Sequence, residues 1–415
     1  MSKKLITILL AAMFIALPIV YGTLYASASF DGFIEVTAYE SDSAGLKADG
    51  SLWVWGGRDN RRRLEYMSVD DVYNPAKIME DVSSYSLSHT IGEIHNMVIK
   101  TDGSLWGWGW NAAGALGLGI ENEGWHTPEK IMDDVSYVTA EGASTLIVKT
   151  DGSLWACGFN HNGQLGDGTT ENRISPVKIM DDVVFAASGT TNSLAIKSDK
   201  SLWAWGSNLW GQLGAEIEGD WLAPVKVMED VIYVSVGSVH TAAIRTDGSL
   251  WMWGSNMYGI LGTGMRGNSH IPVKIMEDVA HVSAGDYHTL AVKNDGSLWA
   301  WGHNKNGQLG DGTTEDRPMP EKVLDKVKHA SAGRAHSLAI TTNGNVLAWG
   351  RSDSGQLGIN ITHDILSPTS IKGYKVPGNE ESPSPLMIIM TVALALFVVG
   401  IIVFIVAMVA SKEIK

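Results

Sequence analysis

The chain has 415 residues, with 31 Lys and Arg, 45 Asp and Glu, and a single cysteine, Cys157. Its formal net charge of −14 disfavours nucleic-acid binding, because an acidic surface repels phosphate backbones. One cysteine excludes an intrachain disulfide.

The N-terminus has the three parts of a secretory signal peptide. Lys3 and Lys4 precede an apolar run over residues 5–20, and Ala26-Ser27-Ala28 provides a small-residue cleavage site. We therefore expect residues 1–28 to be a signal peptide that is cleaved after Ala28. An uncleaved signal anchor is the alternative, because the run is near the upper length for a signal peptide.

The middle of the chain repeats one pattern. The core Asp-Gly-Ser-Leu-Trp, or a close variant of it, recurs at intervals of 53, 49, 48, 48, 48 and 48 residues. It begins at Asp49, Asp102, Asp151, Asp199, Asp247, Asp295 and, in a looser copy, Asn343. A fixed period of this length indicates a propeller or a solenoid. We assign residues 33–375 to one domain of seven repeats.

Each repeat contains four short predicted strands. In the sixth repeat these are Val279–Ala284, His288–Lys293, 298–301 and 322–324, with a Gly-containing hairpin turn at residues 294–297 in which Gly296 has positive φ. A sheet of this size cannot bury both faces alone, whereas seven sheets packed around an axis can. The sequence predicts an all-β, seven-bladed propeller with four-stranded blades. The repeated Leu-Trp-x-Trp places both indoles on one strand face, where they should dominate packing between blades.

Three recurring motifs resemble one known repeat. Gly-x-x-His, Asp-Gly-Ser-Leu-Trp-x-Trp-Gly-x-Asn and Gly-Gln-Leu-Gly occur in this order over residues 33–371 and are similar to the repeat of the regulator of chromosome condensation family. That resemblance implies a seven-bladed propeller. The best-known member exchanges guanine nucleotide on a nuclear small GTPase, and other members are secreted binders of proteins. Repeats one and two depart from Gly-Gln-Leu-Gly, with Arg62-Arg63-Leu64-Glu65 and Gly114-Ala115-Leu116-Gly117.

The loop after the first strand and the loop after the third should share one end of each blade. Positions there that differ between repeats are not dictated by the fold, and many are aromatic, with Glu40, Glu93, Asp286 and Asp353 among them. Exposed aromatic residues beside polar groups are typical of binding surfaces, although several could instead pack locally over the loops. The predicted partner-binding face comprises Trp110, Trp125, Phe159, His161, Trp210, Trp221, Met257, Tyr258, Asp286, Tyr287 and His303.

The other conspicuous residues have structural explanations. Histidines at one equivalent position are replaced by Asp, Ser or Asn in other repeats, which predicts a repeated bond to the backbone rather than a metal site; they are His95, His240, His288 and His336. Cys157 replaces the second Trp of repeat three and should be a small buried residue. The two Gly-Asp-Gly-Thr turns offer too few carboxylates for calcium, and no acid and base pair stands out. We expect no enzyme activity, cofactor or metal.

The C-terminus predicts membrane attachment. Residues 376–385 form a stalk rich in Pro, Ser and Glu, and residues 386–410 carry no charge and should form a transmembrane helix. Lys412 and Lys415 in the tail 411–415 place this end in the cytoplasm and the repeats outside. An exported protein without disulfides suggests a bacterial cell surface. Between the predicted signal peptide and the predicted transmembrane helix, the chain has 27 basic and 44 acidic side chains.

These features predict a single-pass membrane protein that displays an extracellular propeller as a protein-binding, adhesion or inhibitor-like head. Its partner would be an extracellular protein or glycan of unknown identity. A head that binds or cleaves cell-wall glycan is the alternative. Guanine-nucleotide exchange would rest on fold analogy alone.

Overall fold

The computed structural model describes residues 32–57, 75–88, 95–120, 124–216, 219–359 and 361–371. The predicted signal peptide, stalk, transmembrane helix and tail lie outside these ranges. No helix within the described ranges combines the length and the apolar character needed to cross a membrane.

The described residues form seven antiparallel four-stranded sheets, each made of four consecutive strands. The first strands are β1 Phe33–Ala38, β5 Val82–Leu87, β9 Val135–Glu141, β13 Val183–Ser188, β17 Val231–Val236, β21 Val279–Ala284 and β25 Val327–Ala332. The second strands are β2 Asp42–Lys47, β6 His95–Lys100, β10 Ser144–Lys149, β14 Asn192–Lys197, β18 His240–Arg245, β22 His288–Lys293 and β26 His336–Thr341.

The third strands are β3 Leu52–Gly56, β7 Leu105–Trp110, β11 Leu154–Gly158, β15 Leu202–Gly206, β19 Leu250–Gly254, β23 Leu298–Gly302 and β27 Val346–Gly350. The fourth strands are β4 Ala76–Met79, β8 Trp125–Met132, β12 Arg173–Met180, β16 Trp221–Met228, β20 Ser269–Met276, β24 Arg317–Leu324 and β28 Ile365–Ser370. The seven-bladed propeller with four-stranded blades is confirmed. We number the blades 1 to 7 in chain order.

The fourth strand of blade 6 is longer than the sequence predicted. β24 begins at Arg317 rather than residue 322 and continues through two prolines. Its register with β23 shifts twice, between Leu298 and Trp299 and between Ala300 and Gly302. Proline is tolerated there because an outer strand and its bulges need fewer ladder hydrogen bonds.

The hydrophobic core lies between blades. Leu202 of blade 4 belongs to the same buried cluster as Trp253 of blade 5, as predicted from the alternation of Leu and Trp along the third strand. The second Trp of the motif, present in every blade except blade 3, is among the largest buried side chains. Trp253 is fully buried, and its Nε1 donates to the carbonyl oxygen of Gln212 in the preceding blade at 2.9 Å.

The hairpin turn is fixed by its own side chains. In blade 6, Asp295 Oδ1 accepts hydrogen bonds from the amide and hydroxyl of Ser297 at 2.8 and 2.6 Å, and Ser297 Oγ accepts from Trp299 Nε1 at 3.0 Å. Gly296 has φ +81°, as predicted. Blade 4 has Lys200 at this turn position, with φ +68°.

Ring closure repeats the ordinary contact between blades. Trp55 Nε1 donates to the carbonyl oxygen of Gln356 at 3.0 Å, as Trp253 does to Gln212. The amide of Arg334 in blade 7 donates to the carbonyl oxygen of Tyr39 in blade 1 at 3.0 Å. Each blade is one contiguous repeat, so the two ends of the ring do not share a blade.

Candidate partner-binding rim

The loop after the first strand and the loop after the third meet at one end of each blade, as predicted. In blade 6 the amide of His303, just after β23, donates to the carbonyl oxygen of Tyr287, just before β22, at 2.8 Å. Blade 5 has the same bond from Ser255 to Val239 at 2.9 Å. We call this end the loop rim. The hairpin turns lie at the opposite end.

A glutamine side chain fixes the backbone conformation of the loop after the third strand. In blade 4, Gln212 Oε1 accepts a hydrogen bond from the amide of Trp210 at 2.8 Å. Blade 5 has Ile260 in place of this glutamine, and the chain there forms a 3₁₀ turn over Met257–Gly259. Tyr258 then adopts φ +61°, a conformation that costs energy for a bulky side chain. Loss of one side-chain acceptor thus accounts for an unusual backbone.

Blades 4 and 5 present apolar pairs at equivalent loop positions. The exposed fractions are 73% for Leu209, 39% for Trp210, 46% for Met257 and 41% for Tyr258. We call these four residues the rim patch. Exposed apolar side chains indicate a binding surface when they lie together rather than singly, and these four occupy equivalent loops of adjacent blades.

The second position of each pair has another role in blades 3 and 6. There Asn162 and Asn306 donate hydrogen bonds to the carboxylates of Asp220 and Asp364 in the following blades, at 3.4 and 2.8 Å. Trp210 and Tyr258 replace these asparagines, so blades 4 and 5 have an exposed aromatic ring where blades 3 and 6 have a polar link.

Tyr258 continues into a cluster on blade 6. Its ring centroid lies 4.4 Å from that of His303 and 5.8 Å from that of Tyr287. His303 Nδ1 accepts a hydrogen bond from Gln308 Nε2 at 3.0 Å, and partial burial lowers the pKa of His303. The histidine is therefore a neutral packing partner for the two tyrosines.

The other predicted face residues lie on other blades or in the core. Trp110 is exposed and pairs in strand register with Trp125 on blade 2. Phe159 and His161 on blade 3 have ring centroids 4.4 Å apart. Trp221 packs against the core cluster between blades 4 and 5, so it contributes to local packing. The predicted residues share a rim without forming one cluster.

An axial cavity of about 360 Å³ opens at the loop rim. The sequence did not reveal it, because its walls come from residues about 48 positions apart that only ring closure brings together. Small residues line it, among them Gly237 and Gly285. A Cβ atom on Gly237 would lie 2.3 Å from the carbonyl oxygen of Gly285, and one on Gly285 would lie 2.4 Å from that of Gly333. Glycine is required because neighbouring backbones approach so closely.

Four charged side chains are among the described residues of the cavity wall. They are Glu40, Glu141, Asp286 and Arg334. The Arg334 guanidinium forms an ion pair with Glu40, and its Nε lies 3.9 Å from Asp286 Oδ2. Asp286 Oδ1 accepts a hydrogen bond from Ser238 at 2.7 Å. Burial raises the pKa of Asp286, although Ser238 and Arg334 oppose that shift.

A ring of aromatic side chains lies one layer deeper. Ser283 and Ser331 line the cavity. His281 and His329 lie two positions earlier on the same strands, so they occupy the same strand faces one layer deeper. Their ring centroids are 4.6 Å apart. Contacts of 4.7 to 5.4 Å continue the ring across the preceding blades. Its members, one from each of blades 3 to 7, are Tyr137, Phe185, Tyr233, His281 and His329. This layer lies beneath the cavity.

The buried histidines do not bond to the backbone, as the sequence predicted, but to a side-chain hydroxyl. His288 Nε2 lies 2.9 Å from Ser337 Oγ of the next blade, and that hydroxyl donates to the carbonyl oxygen of Gln308 at 2.7 Å. The histidine therefore donates to a hydroxyl rather than directly to the backbone. The same contact recurs at His95, His240 and His336. These histidines link neighbouring blades.

Cys157 is fully buried, as predicted. Its Sγ lies 3.6 Å from the carbonyl oxygen of Ala115, where other blades place a Trp Nε1, and burial raises the pKa of the thiol to about 12. Within the described ranges, no group of three or more His, Cys, Asp or Glu side chains is placed to hold a metal ion.

The opposite end of the propeller also exposes apolar side chains, which the sequence did not indicate. Val184 and Ile232 are 58% and 52% exposed and occupy the bulges at the starts of β13 and β17. They are aliphatic and belong to the regular strand pattern. They therefore offer sites for control substitutions that remove exposed apolar surface away from the loop rim.

Comparison with known proteins agrees with this architecture. A family model for the RCC1-like domain matches residues 22–278, and two models for the regulator of chromosome condensation (RCC1) repeat match residues 295–340 and 343–377, and 279–308 and 327–356. A search of the curated proteins found no match.

Among solved structures, Prp20p from Saccharomyces cerevisiae is similar, with 23% identity, a TM-score of 0.68, and coverage of 79% of this chain and 87% of Prp20p. Human WBSCR16 has 21% identity and a TM-score of 0.65, with coverage of 76% and 88%. Identities this low indicate a shared fold only. The RCC1-like domain match spans more than half of the chain, and together with the repeat matches it shows that the chain belongs to the RCC1 repeat family.

Proposed function

We propose that this protein is a membrane-anchored, extracellular binding module whose propeller captures a partner protein through the loop rim. The rim patch carries this proposal. At positions where blades 3 and 6 use asparagine to link blades, blades 4 and 5 expose Trp210 and Tyr258. Large aromatic side chains are frequent in the energetically dominant centres of protein interfaces.

Protein binding is documented for a similar structure. Prp20p was studied for its binding to Gsp1p and histones. Yeast RCC1 (Prp20) was also solved bound to Kap60. That second structure has 20% identity to this chain and a TM-score of 0.68, with coverage of 84% of this chain and 88% of the other. Those partners belong to that protein. They support the present proposal only by showing that a propeller of this fold can bind other proteins.

The proposed location rests on the two ends of the sequence. Residues 1–28 have signal-peptide composition, and residues 386–410 are long and apolar enough to span a bilayer as a helix. We propose a bacterial cell surface, with the propeller outside and residues 411–415 in the cytoplasm. Protease digestion of intact cells should remove the propeller, whereas protection until lysis would contradict this topology.

We propose binding rather than catalysis. The prominent side chains of the rim are aromatic and apolar, and the buried histidines and Cys157 have structural contacts between blades. Such a surface suits an interface better than a reaction centre.

Crosslinking of the full-length protein on intact cells tests the binding role. The double variant Trp210→Ala/Tyr258→Ala should recover at least tenfold less partner, since each aromatic centre residue can contribute 2 kcal/mol or more. The matched control Val184→Ala/Ile232→Ala removes apolar surface from the opposite end and should recover the normal amount. Equal recovery by both variants would contradict the proposal. Competition by free cell-wall sugar would instead support the glycan alternative.

A further inference from the structure

The rim patch and the axial cavity are parts of one continuous surface. Asp286 lines the cavity, and the next residue, Tyr287, contacts the Tyr258 ring of the patch. Ser238 of blade 5 donates its hydrogen bond to Asp286 of blade 6, which holds the two loops together at this point. A partner segment that covers Tyr258 therefore lies beside the cavity opening.

The part of the cavity wall that the structure describes has an excess of negative charge. Its described wall contains three carboxylates, from Glu40, Glu141 and Asp286, and one guanidinium, from Arg334. Arg334 extends to Glu40 and approaches Asp286, so the site already holds one guanidinium group of this chain. The chain between the predicted signal peptide and the predicted transmembrane helix has the same sign of charge, with 27 basic and 44 acidic side chains.

The cavity is large enough for a side chain. Its volume of about 360 Å³ lies within the range of about 300–1,000 Å³ typical of ligand pockets. Its walls are small residues with backbone carbonyl groups held close together, and the aromatic ring lies below. A long, flexible cation with an apolar stem matches these dimensions and this polarity.

We propose that the loop rim docks a protein segment in which one Lys or Arg side chain enters the axial cavity while adjacent apolar side chains cover the rim patch. This inference rests on the proposed protein-binding function and specifies the chemistry of the partner. The incoming cation interacts with Asp286 and Glu141 and competes with Arg334. Charge complementarity selects a basic segment, and the patch requires that it also be apolar.

Calorimetric titration of the full-length protein in detergent micelles tests the proposal with a defined probe. The peptide acetyl-Trp-Arg-Trp-amide should bind at least tenfold more tightly than acetyl-Trp-citrulline-Trp-amide, which has nearly the same shape without the charge. Asp286→Asn and Glu141→Gln should each weaken binding of the arginine peptide by about tenfold, as expected for loss of a charged hydrogen-bond partner. Equal binding of the two peptides would overturn the proposal.

Arg334→Gln provides the most discriminating variant. Removal of the competing guanidinium should strengthen binding of the arginine peptide several-fold, whereas a purely structural Arg334 would leave binding unchanged or weaken it. The backbone bond from residue 334 to Tyr39 remains, and a thermal unfolding curve verifies that the variant is folded. Arg351→Gln is the matched control, because Arg351 pairs with Asp353 on the same rim outside the cavity wall. It should bind the peptide as the unsubstituted protein does.

The two proposals can fail separately. If partner capture on cells depends on Trp210 and Tyr258 but not on Asp286 or Glu141, the binding function stands and the basic-segment inference is wrong. If a basic peptide without tryptophan binds as tightly as acetyl-Trp-Arg-Trp-amide, the rim patch takes no part and the inference is also wrong.

Discussion

The buried histidines should make the stability of the propeller strongly dependent on pH. Burial lowers the pKa of His240 to about 4 and the pKa values of His288 and His336 to about 3, from an ordinary value of 6.5. The unfolded chain therefore binds protons near pH 6.5 that the folded chain does not bind. Stability is fully present above that pH and falls as the pH decreases from about 6.5 towards 3.

The magnitude follows from the number of groups. Each histidine that is neutral when folded and protonated when unfolded changes the free energy of unfolding by about 1.4 kcal/mol per pH unit. Three such groups give a slope of about 4 kcal/mol per pH unit. Glu35, whose pKa burial raises to about 6, has the opposite effect, because its folded form binds more protons.

The triple variant His240→Asn/His288→Asn/His336→Asn removes the three groups and leaves Glu35 in place. Asparagine is compatible with the site, since Asn192 occupies the equivalent buried position in blade 4. Urea unfolding followed by tryptophan fluorescence at pH 7, 6 and 5 gives the free energy of unfolding. Between pH 6 and pH 5 the original protein should lose about 4 kcal/mol more than the variant. Parallel losses, within about 1 kcal/mol, would refute the view that these histidines are buried and neutral.

Three further outcomes follow from individual contacts. Trp253→Phe loses the 2.9 Å bond to Gln212 and part of the packing between blades, so urea unfolding should show a loss of about 1–3 kcal/mol, and an unchanged midpoint would contradict this role. Lys200→Gly should raise stability by about 0.5–1 kcal/mol, because a lysine at φ +68° is strained where glycine is not; a lower midpoint would be the contrary result. Cys157 should not react with Ellman's reagent until the protein is unfolded, since its thiol is buried with its pKa raised to about 12, and rapid labelling of the native protein would be inconsistent with that burial.

The repeated features of the fold could be predicted because each is specified locally. The bounds of β21 and β22 match the prediction, and Gly296 has the positive φ that its turn requires. The period supplied the number of blades, and the alternation of Leu and Trp supplied the packing between them. The early start of β24 was missed because Pro318 and Pro320 suggested a break that the bulges accommodate.

Other features depend on relationships that a single repeat does not contain. Sequence comparison between repeats identified Glu40 and Asp286 as variable rim residues. Arg334 of blade 7 lies between them, because ring closure brings Glu40 of blade 1 to one side of it and Asp286 of the preceding blade lies on the other. The backbone of Tyr258 depends on Ile260, two residues later, where blades 3, 4, 6 and 7 supply a glutamine acceptor. The packing of Trp221 against the core also required the structure.

Amide hydrogen exchange on the captured complex tests the use of the loop rim most directly. Partner binding should slow exchange in residues 207–212 and 255–260, the two loops that carry the rim patch. It should also slow exchange around Tyr287, whose ring contacts Tyr258. Exchange in the hairpin turns at the opposite end, including residues 247–250 and 295–298, should be unchanged. Protection of those turns, with the loop rim unaffected, would contradict the account.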